Sequence, residues 1–133
     1  MVILFDQYHL PDDILEIIFA TEQQVMVARM LLTEFKEAGG SLGKTEMSVF
    51  ANRLHEGTTI EIDESVGPIS QKKTIKISYN KRQFYDRILT PMKSMGLVDY
   101  DMYKKQYRIS DNFIHALKKI GLMWQKELQT LQS

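Results

Sequence analysis

Apolar residues recur at helical spacing over most of this chain and alternate with polar ones over a smaller part. The run Val2 to Phe5 reads either as a strand or as an anchor onto the core. Pro11-Asp12-Asp13 places proline and acids where a first helical turn wants them, and predicts a helix through Ile14 to Phe19, within residues 12–20. Thr21, followed three residues later by Gln24, fits a capping box. The helix behind it carries Val27, Leu31, Phe35 and Ala38 on one face and stops at Gly39-Gly40. Thr45 is placed to cap the next helix, from Glu46 to about His55, which buries Val49, Phe50 and Leu54 and ends at Gly57. TTIEID and KTIKIS alternate instead, with Ile60 and Ile62 in one, Ile75 and Ile77 in the other, and Gly67-Pro68 between them as a breaker. They predict an inserted hairpin or loop over residues 57–78.

The stretch NKRQFYDRILTPMKSMGLVDYDMYKKQYRIS, Asn80 to Ser110, changes period within itself. Phe84, Ile88, Met92 and Met95 form one apolar helical face over residues 80–95, and Gly96 stands where a helix end wants a residue free to take positive φ. Leu97 and Val98 open an extended run, Tyr107 and Ile109 close a second, and a polar turn lies between. A final helix over residues 111–131 carries Phe113, Leu117, Ile120, Trp124, Leu128 and Leu131 on one side. That spacing is nearly heptad, but Glu127 interrupts the seam, so a packing helix is expected rather than a long coiled coil.

Charge divides the chain. Residues 1–70 hold 4 Lys and Arg against 12 Asp and Glu, a balance of −8, and residues 71–133 hold 13 against 5, a balance of +8. The net charge of zero hides this dipole, and what a polyanion meets is where the charge sits. The competing reading is that these cations only solvate exposed faces. The 133 residues fit one domain of ordinary size, with 44% hydrophobic and 26% charged residues as in a soluble globular protein. No apolar run approaches the roughly 18 residues a membrane span needs, so no membrane partner is expected. The start MVILFDQ lacks a positive n-region, and no signal peptide is expected. Without Cys there is neither a disulfide nor a thiolate metal site, which fits a cytoplasmic protein.

The order of helix, link, helix, insertion, helix, strand, turn, strand, helix resembles the winged helix-turn-helix superfamily, in particular its small archaeal and bacterial DNA-binding regulators. The resemblance covers about Glu22 to Leu117. It rests chiefly on YDRILTPMKSMGLVDYD and YRIS, which look like the recognition helix, the following strand and the closing strand of a wing. It implies a single α+β domain over residues 1–133, mainly α with a small β-hairpin. The core would span about 22–117, with extra N- and C-terminal helices at 12–20 and 111–131. The chain departs from the pattern in the roughly 22 residues between Glu56 and Tyr79, well above a usual helix–helix link. An insertion folded over the recognition helix would remove the DNA reading. Pro91 also falls inside that helix, where a kink or an early end near Thr90 is expected.

The resemblance implies double-stranded DNA as the partner, with helix 80–95 in the major groove and wing 99–108 on the backbone. Core-facing Phe84, Ile88 and Met95 leave Arg82, Gln83, Asp86, Thr90 and Lys93 outward, beside Lys81 and Arg87. Arg suits guanine O6 and N7, and Gln suits adenine N6 and N7. Lys81 and Arg82 in a first helical turn oppose the helix dipole by about 0.3–1 kcal/mol each, which a phosphate partner explains better than folding does. Lys104, Lys105 and Arg108 would hold the wing on the backbone, with Tyr103 at its tip either stacking or simply exposed. Tyr100 and Tyr107 are expected to pack the hairpin onto the helices.

An enzyme is not expected. His9, His55 and His115 have no metal-ligand spacing, and Gly43-Lys44-Thr45 lacks the first glycine and the preceding strand of a phosphate loop. No cofactor or metal is called for. A homodimer is expected, with the N- and C-terminal helices paired across its axis and Leu117, Ile120, Trp124, Leu128 and Leu131 at the interface. The competing arrangement folds Trp124 back onto Ile14 to Phe19 within one chain. The second functional class is a winged-helix protein–protein interaction module of a transcription or replication assembly.

Overall fold

The computed structural model describes residues 5–66 and 69–132, with side chains outside 61–72. The possible strand or anchor at Val2 to Leu4 and the breaker Gly67-Pro68 therefore lie outside the described residues; Phe5 is exposed. Helix α1 (Ile14–Ile18) starts because the Asp13 carboxylate accepts the Leu15 N–H at 3.0 Å. It turns Leu15 and Phe19 into the core. Helix α2 (Glu22–Glu37) starts on Thr21, whose hydroxyl accepts the Gln24 N–H at 3.1 Å. Val27, Ala28, Leu31 and Phe35 form its buried stripe, while Ala38 is left exposed at the C-cap.

After the positive-φ pair Gly39-Gly40 the chain does not run straight into the next helix. Ser41–Gly43 is a short strand, β1, paired antiparallel with Gln106–Ile109, β5. Helix α3 (Lys44–Glu56) follows at once, and its N-cap is Gly43 rather than the expected Thr45, with the Glu46 carboxylate accepting the Gly43 N–H. The buried face is Met47, Phe50, Ala51 and Leu54. Val49, expected inside, is 52% exposed. It lies two residues beyond Met47, about 200° round the helix from that face.

Strands β2 (Thr58–Val66) and β3 (Ile69–Ile77) make an antiparallel ribbon in continuous register from Thr58↔Ile77 to Val66↔Ile69. Ile77 is buried and Ile60 and Ile75 pack half-buried against the core, so the base of the ribbon is anchored to the domain.

The next rod has three parts: α4 (Lys81–Phe84), a π turn (Tyr85–Leu89) and α5 (Thr90–Met95). The expected early end near Thr90 is not there. The Thr90 N–H reaches back to the carbonyl of Tyr85, one residue further than in an α-helix. This widened turn contains Arg87, whose carbonyl the Pro91 ring would otherwise crowd. Phe84, Ile88, Leu89 and Met92 are buried, and Met95 is half-buried. Gly96 ends the rod at φ 89°, and the Leu97 N–H returns to the Met92 carbonyl at 2.9 Å. Val98–Asp101, β4, then pairs with β5, giving the sheet order β1-β5-β4. The fold is thus α+β, with one three-stranded and one two-stranded antiparallel sheet.

The last helix, α6 (Asn112–Leu131), has no buried residue. Trp124 is 65% exposed, so the fold-back onto Ile14 to Phe19 does not occur. Leu15 and Phe19 of α1 are buried in their own domain instead, which withdraws much of the N-terminal helix from any dimer interface. None of the described helices is long and apolar enough to cross a membrane.

The Asp13 cap makes a prediction. Its carboxyl is held below the ordinary value chiefly by the Leu15 N–H, with help from Arg29 at 2.6 Å, while burial opposes the shift. A depressed carboxyl stabilises the fold above the unfolded-state value of ~3.9 and loses that contribution as pH falls through its folded value. Asp13→Ala should cost about 1 kcal/mol in urea unfolding at pH 7. The gap between variant and parent should close below pH ~3.9.

Candidate nucleic-acid interface

The apolar stripe of the rod fixes what its other side presents. With Phe84, Ile88, Leu89 and Met92 inward, Arg82, Gln83, Asp86, Arg87, Thr90 and Lys93 are all exposed. The Asn80 side chain accepts the Gln83 N–H at 3.1 Å, capping the first turn from which Arg82 and Gln83 project. Arg82 lies 3.8 Å from Asp86, but with 91% and 67% of the two side chains in solvent this pair restrains little. The insertion leaves these residues open.

Lys81 departs from the expected arrangement. It is half-buried, its ammonium lies 3.5 Å from the Ser48 hydroxyl of α3, and its backbone N–H donates to Nδ1 of His55 at 3.2 Å. The His55 carbonyl accepts from the Ser78 hydroxyl. Lys81 therefore ties the start of the rod to α3 and does not stand on the outward face. Tyr85 lies beside it, its hydroxyl pushed above the ordinary value by burial, against a hydrogen bond with Ser48.

The β4–β5 hairpin is built on a cross-strand pair. Tyr100 and Tyr107 stand opposite each other with ring centroids 4.5 Å apart, and burial, with Tyr85 and Tyr100 nearby, raises the Tyr107 pKa. The Lys93 ammonium sits 5.6 Å and 5.8 Å from the two rings, a cation–π contact that joins the rod to the hairpin. The Arg108 guanidinium pairs at 3.0 Å with Asp99 directly across the ladder, with 61% of its side chain still in solvent.

Lys104 and Lys105 are exposed in the turn, and Tyr103 is 99% exposed at its tip. Asp101 shapes that turn by accepting the N–H groups of Tyr103 and Lys104 at 2.9 and 3.1 Å. These bonds, the Lys104 one foremost, hold the Asp101 carboxyl below its ordinary value.

Two exposed residues join this surface that the sequence did not place with the rod and the turn. The Lys44 N–H donates to the Lys105 carbonyl at 3.0 Å, so Lys44 and Thr45 in the first turn of α3 lie against the hairpin turn. Only the three-residue strand β1, too short to show alternation, could have signalled this.

Arg29 pairs with Asp13, and Arg53 pairs with Glu34, on the acidic N-terminal side. Among the described residues Lys44, Arg87, Lys93, Lys104 and Lys105 have no carboxylate within ion-pair distance. A separate groove of about 640 Å³ lies between α2, α3 and the base of β2. Met26, Met30, Phe50, Leu54 and Ile60 line it, and it shares no residue with the basic surface. Comparison with family models, curated proteins and solved structures returned no match for this chain.

Asp101→Ala should free the Tyr103 and Lys104 amides. Their hydrogen exchange should accelerate while amides of α2 keep their protection, because the lost bonds lie at an exposed tip. Equal acceleration in α2 would show that the turn supports the whole fold.

Proposed function

We propose that this chain is a winged helix-turn-helix protein that binds double-stranded DNA sequence-specifically and acts as a transcriptional regulator. In this reading α2, β1, α3, the rod, β4 and β5 form the winged core, β2–β3 is an insertion, and the β4–β5 turn is the wing. The observation that carries it is the single exposed surface formed by the rod, the wing turn and the start of α3, whose lysines lack internal counter-ions. A polyanion supplies those counter-ions. The rod's first two turns would enter the major groove, with Arg82 and Gln83 facing base edges. Lys104 and Lys105 would meet phosphates, with Lys44 as a further backbone contact. Two copies of the chain would present two such faces about one DNA turn, ~34 Å, apart.

The alternative is a protein–protein interaction module, favoured by Met102 and Tyr103 at 78% and 99% exposure on the wing tip. Binding to random duplex DNA across a salt series separates the two. DNA binding weakens steeply with salt because phosphate neutralisation releases counterions. No binding even at low salt would leave the interaction module standing.

Arg82→Ala with Gln83→Ala should lower affinity for the selected site by roughly 1–3 kcal/mol per lost base contact, with folding nearly unchanged. Unaltered affinity would show that the rod does not read bases. Lys104→Ala with Lys105→Ala should weaken binding to every sequence about equally and flatten the salt slope by roughly one to two. A loss confined to one sequence would mean that the wing reads bases itself.

A further inference from the structure

Helix α6 leaves the domain after Phe113, whose N–H donates to the Gly96 carbonyl at 3.0 Å, and none of its described residues is buried. Its 20 residues extend about 30 Å. Ile114, Leu117, Ile120, Met123, Trp124 and Leu128 are between 41% and 65% exposed along it, and Leu131 is 81% exposed. An apolar strip of this kind, uncovered along a whole helix, marks an interaction surface. Read in heptads, Leu117, Trp124 and Leu131 occupy one core position and Phe113, Ile120 and Glu127 the other. The flanking positions hold Ile114, Gly121 and Leu128 on one side and Ala116, Met123 and Thr130 on the other, none of them charged.

We infer that α6 pairs with α6 of a second copy of this chain, antiparallel, about a two-fold axis level with Leu122. Glu127 decides the direction. A parallel, in-register pair sets Glu127 against Glu127 in the seam, two like charges losing water together. It also stacks Trp124 on Trp124.

Antiparallel pairing about Leu122 instead levels Phe113 with the partner's Leu131, Ile120 with the partner's Trp124, and Leu117 with the partner's Glu127. The two carboxylates then lie about 15 Å apart along the axis. In its own helix Glu127 meets no cation at three or four residues' distance, where Met123, Trp124, Thr130 and Leu131 stand. Across the antiparallel seam it lies beside the partner's Ala116, whose small side chain opens the way to the partner's Lys119. Gly121 faces the partner's Gly121 near the axis and lets the backbones approach. The helix dipoles run opposite ways, which also favours this direction.

The pairing shares the two-copy element of the functional proposal but rests neither on DNA nor on the basic surface. Its test uses the full chain without DNA, so either idea fails without the other. The chain has no cysteine, so Gln132→Cys carries a spin label at one site only. The expected result is a dimer in light scattering and a label-to-label distance of about 30 Å, ten residues of helical rise on each side of the axis. A distance under about 20 Å would establish a parallel pair and overturn the inference.

Trp124→Asp should raise the dimer dissociation constant at least about thirtyfold, the scale of a lost aromatic hot spot. The domain should stay folded by circular dichroism, because Trp124 is exposed in the single chain. A parent that is monomeric at tens of micromolar overturns the proposal. Sedimentation of that monomer with anionic phosphatidylglycerol vesicles would then assign the strip to a lipid surface.

Discussion

The rod from Lys81 to Met95 can bury only one stripe, and Pro91 threatens that stripe at its centre. In an unbroken α-helix the proline ring would press on the Arg87 carbonyl, and Leu89 would point about 140° away from Phe84. The π turn resolves both conflicts. It opens the helix where the ring needs room, and its extra residue turns Leu89 toward the side that Phe84, Ile88 and Met92 share. All four become buried against α2, α3 and the sheet. Exposure of Arg82, Gln83, Arg87, Thr90 and Lys93 is the geometric consequence, since a helix that buries one side must show the other.

What that exposure means depends on how charge is satisfied elsewhere. Arg29 and Arg53 reach carboxylates of neighbouring elements on the acidic N-terminal side. Across the rod and the wing turn the lysines find aromatic rings, backbone or solvent instead. Lys93 rests beside Tyr100 and Tyr107, and Lys81 is drawn toward Ser48. Surface ion pairs contribute little to stability, so their absence costs the fold little. It does leave a local positive potential that a phosphate backbone would neutralise.

Periodicity made the core stripes legible because each is set by one helix meeting one core. Val27, Leu31 and Phe35, then Phe84, Ile88 and Met92, could be read directly from spacing. The ends of elements were harder. Val49 and Thr45 were misplaced because Val is apolar wherever it stands and Thr caps only when the preceding backbone is free. Here that backbone is held in β1, paired with β5 sixty-odd residues later in the chain. Such pairing has no local signature in three residues. For the same reason neither the place of Lys44 against the Lys105 carbonyl nor the pairing of Arg108 with Asp99 could be read, since both depend on how β5 is paired. The π turn was invisible for another reason: proline announces a conflict but not how the backbone resolves it.

One junction couples these parts. Gly96 ends the rod in a left-handed conformation, and a Cβ there would sit 2.8 Å from the Phe113 nitrogen and 2.9 Å from the Asn112 carbonyl carbon. The rod's C-terminus and the start of α6 thus meet with no space for a side chain. The Gly96 carbonyl holds the Phe113 N–H, and the Leu97 carbonyl holds the Ser110 N–H at 3.0 Å. Such an anchor fixes the direction in which α6 leaves the basic surface. Pairing of α6 with a second copy would therefore also set the separation and orientation of the two rods. A second copy bound to this helix would set how two basic surfaces lie relative to each other without touching either.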